Sequence, residues 1–229
     1  MIRKLSAGLA AALLAAASSN AYAATQVYTY DSADPAAGLP AGPYGTVTVD
    51  DTGGVLNFLI QLASGFHFNQ NNNANHHAFA FSLDGDPNVT ISGLTSGFAA
   101  LNPTSGTSVT QQPFGVFYTG VNCTPGGSAC TGGGYNGGYA GSLSFTAAVA
   151  GQTLSLASLV PTGSFGNVPT LLSSDVVSST GATGNVGTGL RSAVPEPTSW
   201  AMMLVGFAGI GMAMRKRRQH NVSTTLRFA

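Results

Sequence analysis

The feature that most restricts the fold of this chain is a repeated alternation of apolar and polar residues in short segments. In the segment LSFTAAV, at 143–149, every second residue is apolar, and the residues between are serine, threonine or alanine. Successive side chains of a β-strand point to opposite faces, so this period of two is typical of a strand with one buried face. The segments that show it are 26–31, 44–51, 55–62, 77–83, 88–94, 114–120, 141–149 and 153–160.

Helical periodicity is weak in the same region. Between residues 24 and 177 no apolar run with a helical period reaches ten residues. Many short alternating strands, bounded by turns rich in Gly, Asn and Asp, are typical of antiparallel β-sandwiches and barrels. We therefore predict that residues 24–177 form one all-β body, an antiparallel β-sandwich of the jelly-roll-like type. An open barrel is the alternative.

The charge of this body is one-sided. No Lys or Arg occurs between Ala24 and Leu190, whereas the same stretch contains the aspartates Asp31, Asp34, Asp50, Asp51, Asp84, Asp86 and Asp175. Such a polyanion is repelled by phosphate backbones, which excludes nucleic acid as a partner. Without Lys or Arg, the fold depends on apolar burial and hydrogen bonds.

The N-terminal segment 1–23 has the three parts of a secretory signal peptide. Two basic residues precede an Ala/Leu-rich apolar run, and Ala21 and Ala23 then supply the small residues of a cleavage site. The run is too short for a membrane-spanning helix. The mature chain is expected to begin at Ala24.

The two cysteines, Cys123 and Cys130, are separated by six residues in a Gly-rich loop. In an exported protein this spacing favours a local disulfide. A metal site is the weaker interpretation, because two thiolates need two further ligands and the chain contains no other cysteine.

Three histidines, His67, His76 and His77, flank an Asn-rich segment and could serve as ligands for zinc or copper. Adjacent residues of a strand point to opposite faces, however, so His76 and His77 would not both face one ion there. A polar surface loop is the preferred interpretation.

The sequence DGDPN, at 84–88, begins like a calcium-binding loop. It departs from that pattern at the sixth position, where Val89 replaces glycine, and at the twelfth, where Thr95 replaces glutamate. A tight turn is preferred, and a different calcium site built on Asp84 and Asp86 or on Asp50 and Asp51 stays open.

We find no catalytic pattern in the body. It contains neither a Gly-x-Ser-x-Gly elbow nor a glutamate. We therefore assign no catalytic residue, no metal ligand and no cofactor, and we expect that the protein is not an enzyme. A ligand-binding role would require the aspartates, the histidines or the loop residues Tyr135 and Tyr139 to converge in the fold.

A Gly/Ser/Thr-rich linker is predicted at 178–194, before a C-terminal apolar segment. Residues 200–214 carry no charge, which gives about 22 Å as a helix. A transmembrane helix normally takes about 20 residues, so this one is short. The basic cluster that follows keeps its end cytoplasmic and leaves the body outside; the cluster consists of Arg215, Lys216, Arg217 and Arg218, and 219–229 forms a cytoplasmic tail.

The segment 195–218 resembles the PEP-CTERM sorting signal of Gram-negative bacteria, in its Pro-Glu-Pro-x-x-Trp-Ala form. The matching residues are Pro195, Glu196, Pro197, Trp200 and Ala201, followed by the apolar run and the basic cluster. The resemblance implies recognition by an exosortase, a membrane transpeptidase that cuts near the Pro-Glu-Pro. Such signals usually end soon after the basic cluster, and here the tail extends further.

Together these features predict an exported protein. It would be anchored transiently in the inner membrane and then passed to the outer surface or to an exopolysaccharide matrix. A structural or adhesive role is preferred; the alternative is an extracellular module that binds carbohydrate or a divalent cation, and a secreted hydrolase is less favoured.

Overall fold

Short β-strands dominate the part of the chain that the computed structural model describes. That part comprises residues 23–69, 76–101, 108–124, 130, 133–161 and 170–189, with residues 203, 206 and 207 near the C-terminus. The strands are β1 (Thr25–Ala33), β2 (Gly45–Asp50), β3 (Leu56–Leu62), β4 (Phe66–Phe68), β5 (Phe79–Phe81), β6 (Val89–Ser92), β7 (Phe98–Leu101), β8 (Val109–Gln111), β9 (Gly115–Phe117), β10 (Thr119–Cys123), β11 (Leu143–Val149), β12 (Thr170–Ser178) and β13 (Thr183–Gly189). Short 3-10 helices occupy Thr52–Gly54, Tyr135–Gly137 and Leu156–Ser158.

Eleven of these strands form one antiparallel sheet. The order along it is β6-β11-β3-β2-β1-β13-β12-β5-β10-β7, and β4 pairs with β12 beside β5. Within the described residues, β8 and β9 pair with each other as a separate hairpin. Since β1, at the start of the body, and β13, at its end, are neighbours in the middle of the sheet, the fold closes only when both ends of the body are present.

The sheet curls around the main hydrophobic core, and a second, smaller apolar cluster lies against the β8–β9 hairpin. Phe58 on β3 and Phe81 on β5 lie five positions apart in the strand order, yet their ring centroids are 4.8 Å apart. Phe145 on β11 stacks on Phe58 at 4.7 Å. The predicted all-β, antiparallel fold is confirmed, and the sheet is nearly barrel-shaped instead of divided into two large facing sheets.

The predicted alternation agrees with the observed burial where one face of a strand meets water. Along β11 every second side chain is buried, and along β2 the same pattern holds. In β3 the side chains of Leu56, Phe58 and Ile60 are buried, whereas Leu59 is exposed. In these strands the buried core residues are therefore the alternate apolar residues that the sequence pattern predicted to be buried.

The predicted linker at 178–194 is wrong for residues 183–189, because these form β13 between β1 and β12. Their glycines allow close packing. A Cβ added to Gly184 would collide with the Cβ of Ala37, and one added to Gly187 would lie 2.8 Å from Thr170 and 2.9 Å from Phe114. Glycine was interpreted as a sign of flexibility, whereas here it marks places where no side chain fits.

The strand predicted at 153–160 is also wrong. Its central part is the 3-10 helix Leu156–Ser158, in which Ser155 and Ser158 form a reciprocal capping box. Leu154 and Leu159 are nevertheless buried. Alternating Leu and Ser residues satisfied the strand pattern, but the two serines bond locally to the backbone and favour a turn.

Candidate functional site

A group of hydrogen-bonded and mostly buried polar side chains lies on the outer face of β12. Leu172 and Val176 belong to the core. Because successive side chains of a strand point to opposite faces, Asp175, next to Val176, points away from the core. It is nevertheless completely buried. We call this group the outer polar cluster and define it as Asn69, His76, Gln111, Asp175 and Asn185.

Asp175 holds both ends of the Asn-rich segment. Its Oδ2 accepts a hydrogen bond from Nδ2 of Asn69 at 3.0 Å, and its Oδ1 lies 3.2 Å from Nδ1 of His76. Its backbone nitrogen donates to the carbonyl oxygen of His77 at 2.9 Å. The loop thus begins and ends on one residue of β12, which explains why a carboxyl group is buried there.

Gln111, in the β8–β9 hairpin, completes the cluster. Its Oε1 accepts a hydrogen bond from the backbone nitrogen of His77 at 2.9 Å, and its Nε2 donates to the carbonyl oxygen of the same residue at 2.8 Å. The buried side-chain amide of Gln111 therefore satisfies the backbone N–H and C=O of His77, as a neighbouring strand would. Asn185 extends this contact, since its Nδ2 donates to the carbonyl oxygen of Gln112.

The pKa values of the His76–Asp175 pair reflect burial and hydrogen bonding. Burial raises the pKa of the Asp175 carboxyl, and the hydrogen bonds from His76 and Asn69 oppose that rise in part. The hydrogen bond to Asp175 raises the pKa of His76, against the opposing effect of its partial burial, and the charges of Asp175 and Asp34 add to the rise. The arrangement is suited to hold a proton between an imidazole and a carboxyl group.

The histidines considered as metal ligands have separate partners. His67 Nδ1 lies 2.8 Å from the carbonyl oxygen of Tyr135, and the two rings stack with centroids 3.9 Å apart. His76 binds Asp175 instead. Within the described ranges, no group of three or more His, Cys, Asp or Glu side chains is placed to hold a metal ion.

The two loop tyrosines contact neighbouring residues of β4. Tyr135 stacks on His67, and Tyr139 packs against Phe68 and Phe98. Since consecutive strand residues point to opposite faces, the two tyrosine rings lie against different faces of β4. They do not form a common aromatic surface.

Of the two aspartate pairs considered for calcium, Asp50 and Asp51 accept hydrogen bonds from backbone nitrogens through their carboxylates. Asp50 accepts hydrogen bonds from the backbone of Thr52 at 3.0 Å and from Oγ1 of Thr25 at 2.8 Å. The bonds from Thr52, more than that from Thr25, lower the pKa of Asp50. In the 84–88 segment, the backbone nitrogen of Asp86 donates to Leu83 and its φ is 44°, as expected for the predicted tight turn.

The predicted disulfide between Cys123 and Cys130 is present, with Cα atoms 5.8 Å apart. Both residues are buried, and Cys123 is the last residue of β10. The bond fastens the loop that follows β10 to the core.

The predicted sorting residues Pro195, Glu196, Pro197, Trp200 and Ala201 lie outside the described residues, as do the basic cluster 215–218 and Ala21. Of the apolar segment, Met203, Gly206 and Phe207 are described as helical. Among the described residues there is no helix with the length and apolar character needed to cross a membrane. The helix at 200–214 and the signal peptide therefore remain predictions.

The outer polar cluster was not predicted from the sequence, and of its members only His76 was considered as a ligand. One signal was available, because LLSSDVV places a single aspartate in an apolar strand. A carboxyl group at such a position is buried only when it is paired or hydrogen-bonded. Asn69 and Gln111 carry no comparable signal, since both lie in polar surroundings in the sequence.

A comparison with known protein families supports the interpretation of the C-terminal segment. Residues 193–218 match the family model described as the PEP-CTERM protein-sorting motif. The motif implies export, processing by an exosortase and sorting to the cell surface. No curated protein and no solved structure matches the chain.

Proposed function

We propose that this protein is a structural or adhesive component of the cell surface or of an exopolysaccharide matrix, and that an exosortase delivers it there. The observation that carries the proposal is the sorting motif at 193–218, which begins four residues after the last strand of the body ends at Gly189. A short connection of this kind would present the Pro-Glu-Pro to a membrane enzyme while the body is already folded outside.

The chemistry of the body supports a structural role. It has no Lys or Arg and is rich in Ser, Thr and Asn, so its contacts with a polysaccharide would be hydrogen bonds and not ion pairs. The half-buried His76 is held by the buried Asp175, and the Cys123–Cys130 disulfide links the end of β10 to another buried residue. These side chains are used in holding the fold, and we accordingly propose that the protein has no enzymatic activity.

We further propose that the 200–214 segment anchors the precursor transiently in the inner membrane. The uncharged stretch and the cluster 215–218 after it favour an orientation in which the body is outside. Exosortase would cut near Pro195–Pro197 and release the body from this anchor.

The experiment is an intact-mass and C-terminal peptide analysis of protein recovered from surface, medium and membrane fractions of the native host. We expect the surface form to lack the residues after about position 197, as the P-E-P recognition predicts. Residues 200–229 found still attached, in membranes alone, would overturn the proposal.

A pair of variants makes the test specific. Replacing Glu196 by Ala should leave the C-terminal segment attached and keep the protein in the membrane fraction. Replacing Ser192 by Ala, one residue before the matched segment, should leave processing unchanged. Equal processing of both variants would show that the Pro-Glu-Pro motif is not what the enzyme recognises.

The alternative proposal, an extracellular module that binds carbohydrate or a divalent cation, has less support. It requires convergence of the loop tyrosines or of the aspartate and histidine groups. Tyr135 and Tyr139 pack on different faces of β4. His76 and Asp175 do meet, but within the described ranges no group of three or more such side chains is placed to hold a cation. A secreted hydrolase has the least support, since the buried carboxyl of Asp175 is already bound by His76 and Asn69.

A further inference from the structure

The first residues of the body are bound by one carboxyl group. The backbone nitrogen of Ala24 lies 2.6 Å from Oδ1 of Asp51, and the carbonyl oxygen of Ala24 accepts a hydrogen bond from the backbone nitrogen of Asp51 at 3.1 Å. Ala23, one residue earlier, is exposed. The Ala23–Ala24 peptide bond thus lies at the surface, and its nitrogen atom, which belongs to Ala24, already contacts the carboxylate of Asp51.

The other oxygen of Asp51 is also used. Oδ2 accepts a hydrogen bond from the backbone nitrogen of Leu156, at the start of the 3-10 helix Leu156–Ser158, at 3.2 Å. The side chain is therefore fixed between the start of β1 and a distant loop. Its orientation toward Ala24 does not depend on the hydrogen bond to Ala24 itself.

We propose that Asp51 is the binding site for the α-ammonium group that removal of the signal peptide creates at Ala24. The proposal rests on the proposed export of the chain, because only export provides a signal peptidase. Hydrolysis of the Ala23–Ala24 bond consumes one water: Ala23 gains a carboxylate, and the nitrogen of Ala24 becomes an amine that takes up a proton. No atom of the body needs to move for the new cation to meet Asp51.

Charge makes this contact unusual in the body. Since no Lys or Arg occurs between Ala24 and Leu190, the new α-ammonium group would be the single cation of that stretch apart from its histidines. Before cleavage the backbone N–H of Ala24 donates to a carboxylate, so only the acceptor carries a charge. After cleavage donor and acceptor are both charged, and the attraction of an ion pair is added to the hydrogen bond.

The surroundings favour the cation further. Thr25, the next residue, donates from Oγ1 to Asp50 at 2.8 Å, so a second carboxylate lies close to the new terminus. The Leu156–Ser158 element faces Asp51 with a backbone N–H and contributes no charged side chain. The β1 strand that begins here lies in the middle of the sheet, between β2 and β13. Fixing its first residue would protect that strand from fraying.

The experiment measures how fast the α-amine reacts with an acylating reagent at pH 7, because only the unprotonated amine reacts. The free α-amine has a pKa of about 7.7–8.0 in peptides, and binding to a carboxylate keeps it protonated. We expect Ala24 in the exported wild-type protein to react roughly threefold to tenfold more slowly than in the Asp51→Asn variant. Peptide mass spectrometry assigns the label to Ala24, and a short synthetic peptide with a free α-amine, added to each reaction, serves as the reference for the reagent.

Two further variants control the comparison. Asp84→Asn removes a carboxylate from another turn and should leave the rate at the wild-type value. Insertion of one glycine between Ala23 and Ala24 moves the amine away from Asp51 by about 3.5 Å, and should give the fast rate of Asp51→Asn. Equal rates in all four proteins would overturn the proposal.

A second preparation separates this proposal from that of export. In it a removable tag replaces residues 1–23 of the full chain, and a protease cuts the tag to leave Ala24 free. If the exported protein begins at another residue, our inference about Ala24 is wrong, while the sorting proposal is judged by the C-terminal analysis alone. If the chain is not exported, the proposed function fails and the tag-derived protein still shows whether Asp51 binds the amine.

Discussion

Nδ1 of His76 lies 3.2 Å from Oδ1 of Asp175, a carboxyl group with no exposed surface. The two residues are 99 positions apart in the chain, and their contact brings the end of the Asn-rich segment onto the central strand β12. Because burial raises the pKa of Asp175 and the hydrogen bond raises that of His76, the contact makes the stability of the fold depend on pH.

We predict that the protein becomes less stable as the pH rises from 6 to 8. A histidine whose pKa is raised on folding contributes stability that is complete below its unfolded value of about 6.5 and is lost as the pH rises through the folded value. The raised pKa of Asp175 acts in the same direction, from its unfolded value upward. Urea unfolding between pH 5.5 and 8.5 measures the effect.

Replacement of His76 by Gln should flatten this pH dependence. His67→Gln is the matched control, since His67 bonds to a backbone carbonyl and stacks on Tyr135 without contacting a carboxylate in the described residues. The control should keep the slope of the wild-type protein. A slope in His76→Gln equal to that of the wild type would exclude the pair as its source.

We predict energetic coupling between Tyr30 and Ser174 inside the core. The hydroxyl oxygen of Tyr30 lies 2.7 Å from Oγ of Ser174, and burial raises the pKa of the tyrosine above its usual value. Tyr30→Phe and Ser174→Ala should each cost about 1–2 kcal/mol, because each leaves a buried hydroxyl without this bond. The double variant should cost less than the sum, by roughly 0.5–1.5 kcal/mol. Additive costs in a urea-unfolding cycle would contradict the prediction.

We predict that Gly184→Ala destabilises the fold. The added Cβ would collide with the Cβ of Ala37, so one of the two segments must shift, at a cost of about 1–3 kcal/mol. Gly189→Ala on the same strand is the control: its nearest neighbour would be Oδ1 of Asp31 at 3.4 Å, an ordinary contact. Thermal unfolding should show a lower midpoint for the first variant and little change for the second. Similar midpoints would mean that 183–189 is not packed as a strand in solution.

We predict that replacing both cysteines, Cys123 and Cys130, by serine lowers the free energy of unfolding by about 2–3 kcal/mol, the value expected for a short closed loop. A reducing agent should shift the wild-type urea-unfolding curve toward that of the variant and leave the variant unchanged. If reduction alters both proteins equally, the effect does not come from this disulfide.

The fold was predictable where a strand has one wet face. The alternation in 55–62 and 141–149 identified β3 and β11, whose outer residues meet water. In β12 every residue is buried, and β13 is buried over most of its length. A strand covered on both sides shows no alternation, which is why β12 is missing from the predicted strand segments and Thr183–Gly189 was mistaken for a linker.

The candidate site was predictable to a smaller extent. The sequence predicts that Cys123 and Cys130 pair, because it contains no other cysteine. It does not predict that Asn69, Gln111 and Asp175 meet, since these residues come from three separate segments that only the curled sheet brings together. Side-chain hydrogen bonds over such distances in sequence leave no local pattern.

The all-β class, the disulfide and the sorting motif at 193–218 follow from the sequence alone, because each depends on nearby residues: a period of two, two cysteines in one loop and a short motif of fixed order. The place of the 183–189 glycines in the middle of the sheet, the burial of Asp175 and the contact of Asp51 with Ala24 depend on long-range packing. These depend on which strands become neighbours when the sheet curls around its core, and a contact of that kind is stabilised by the whole fold.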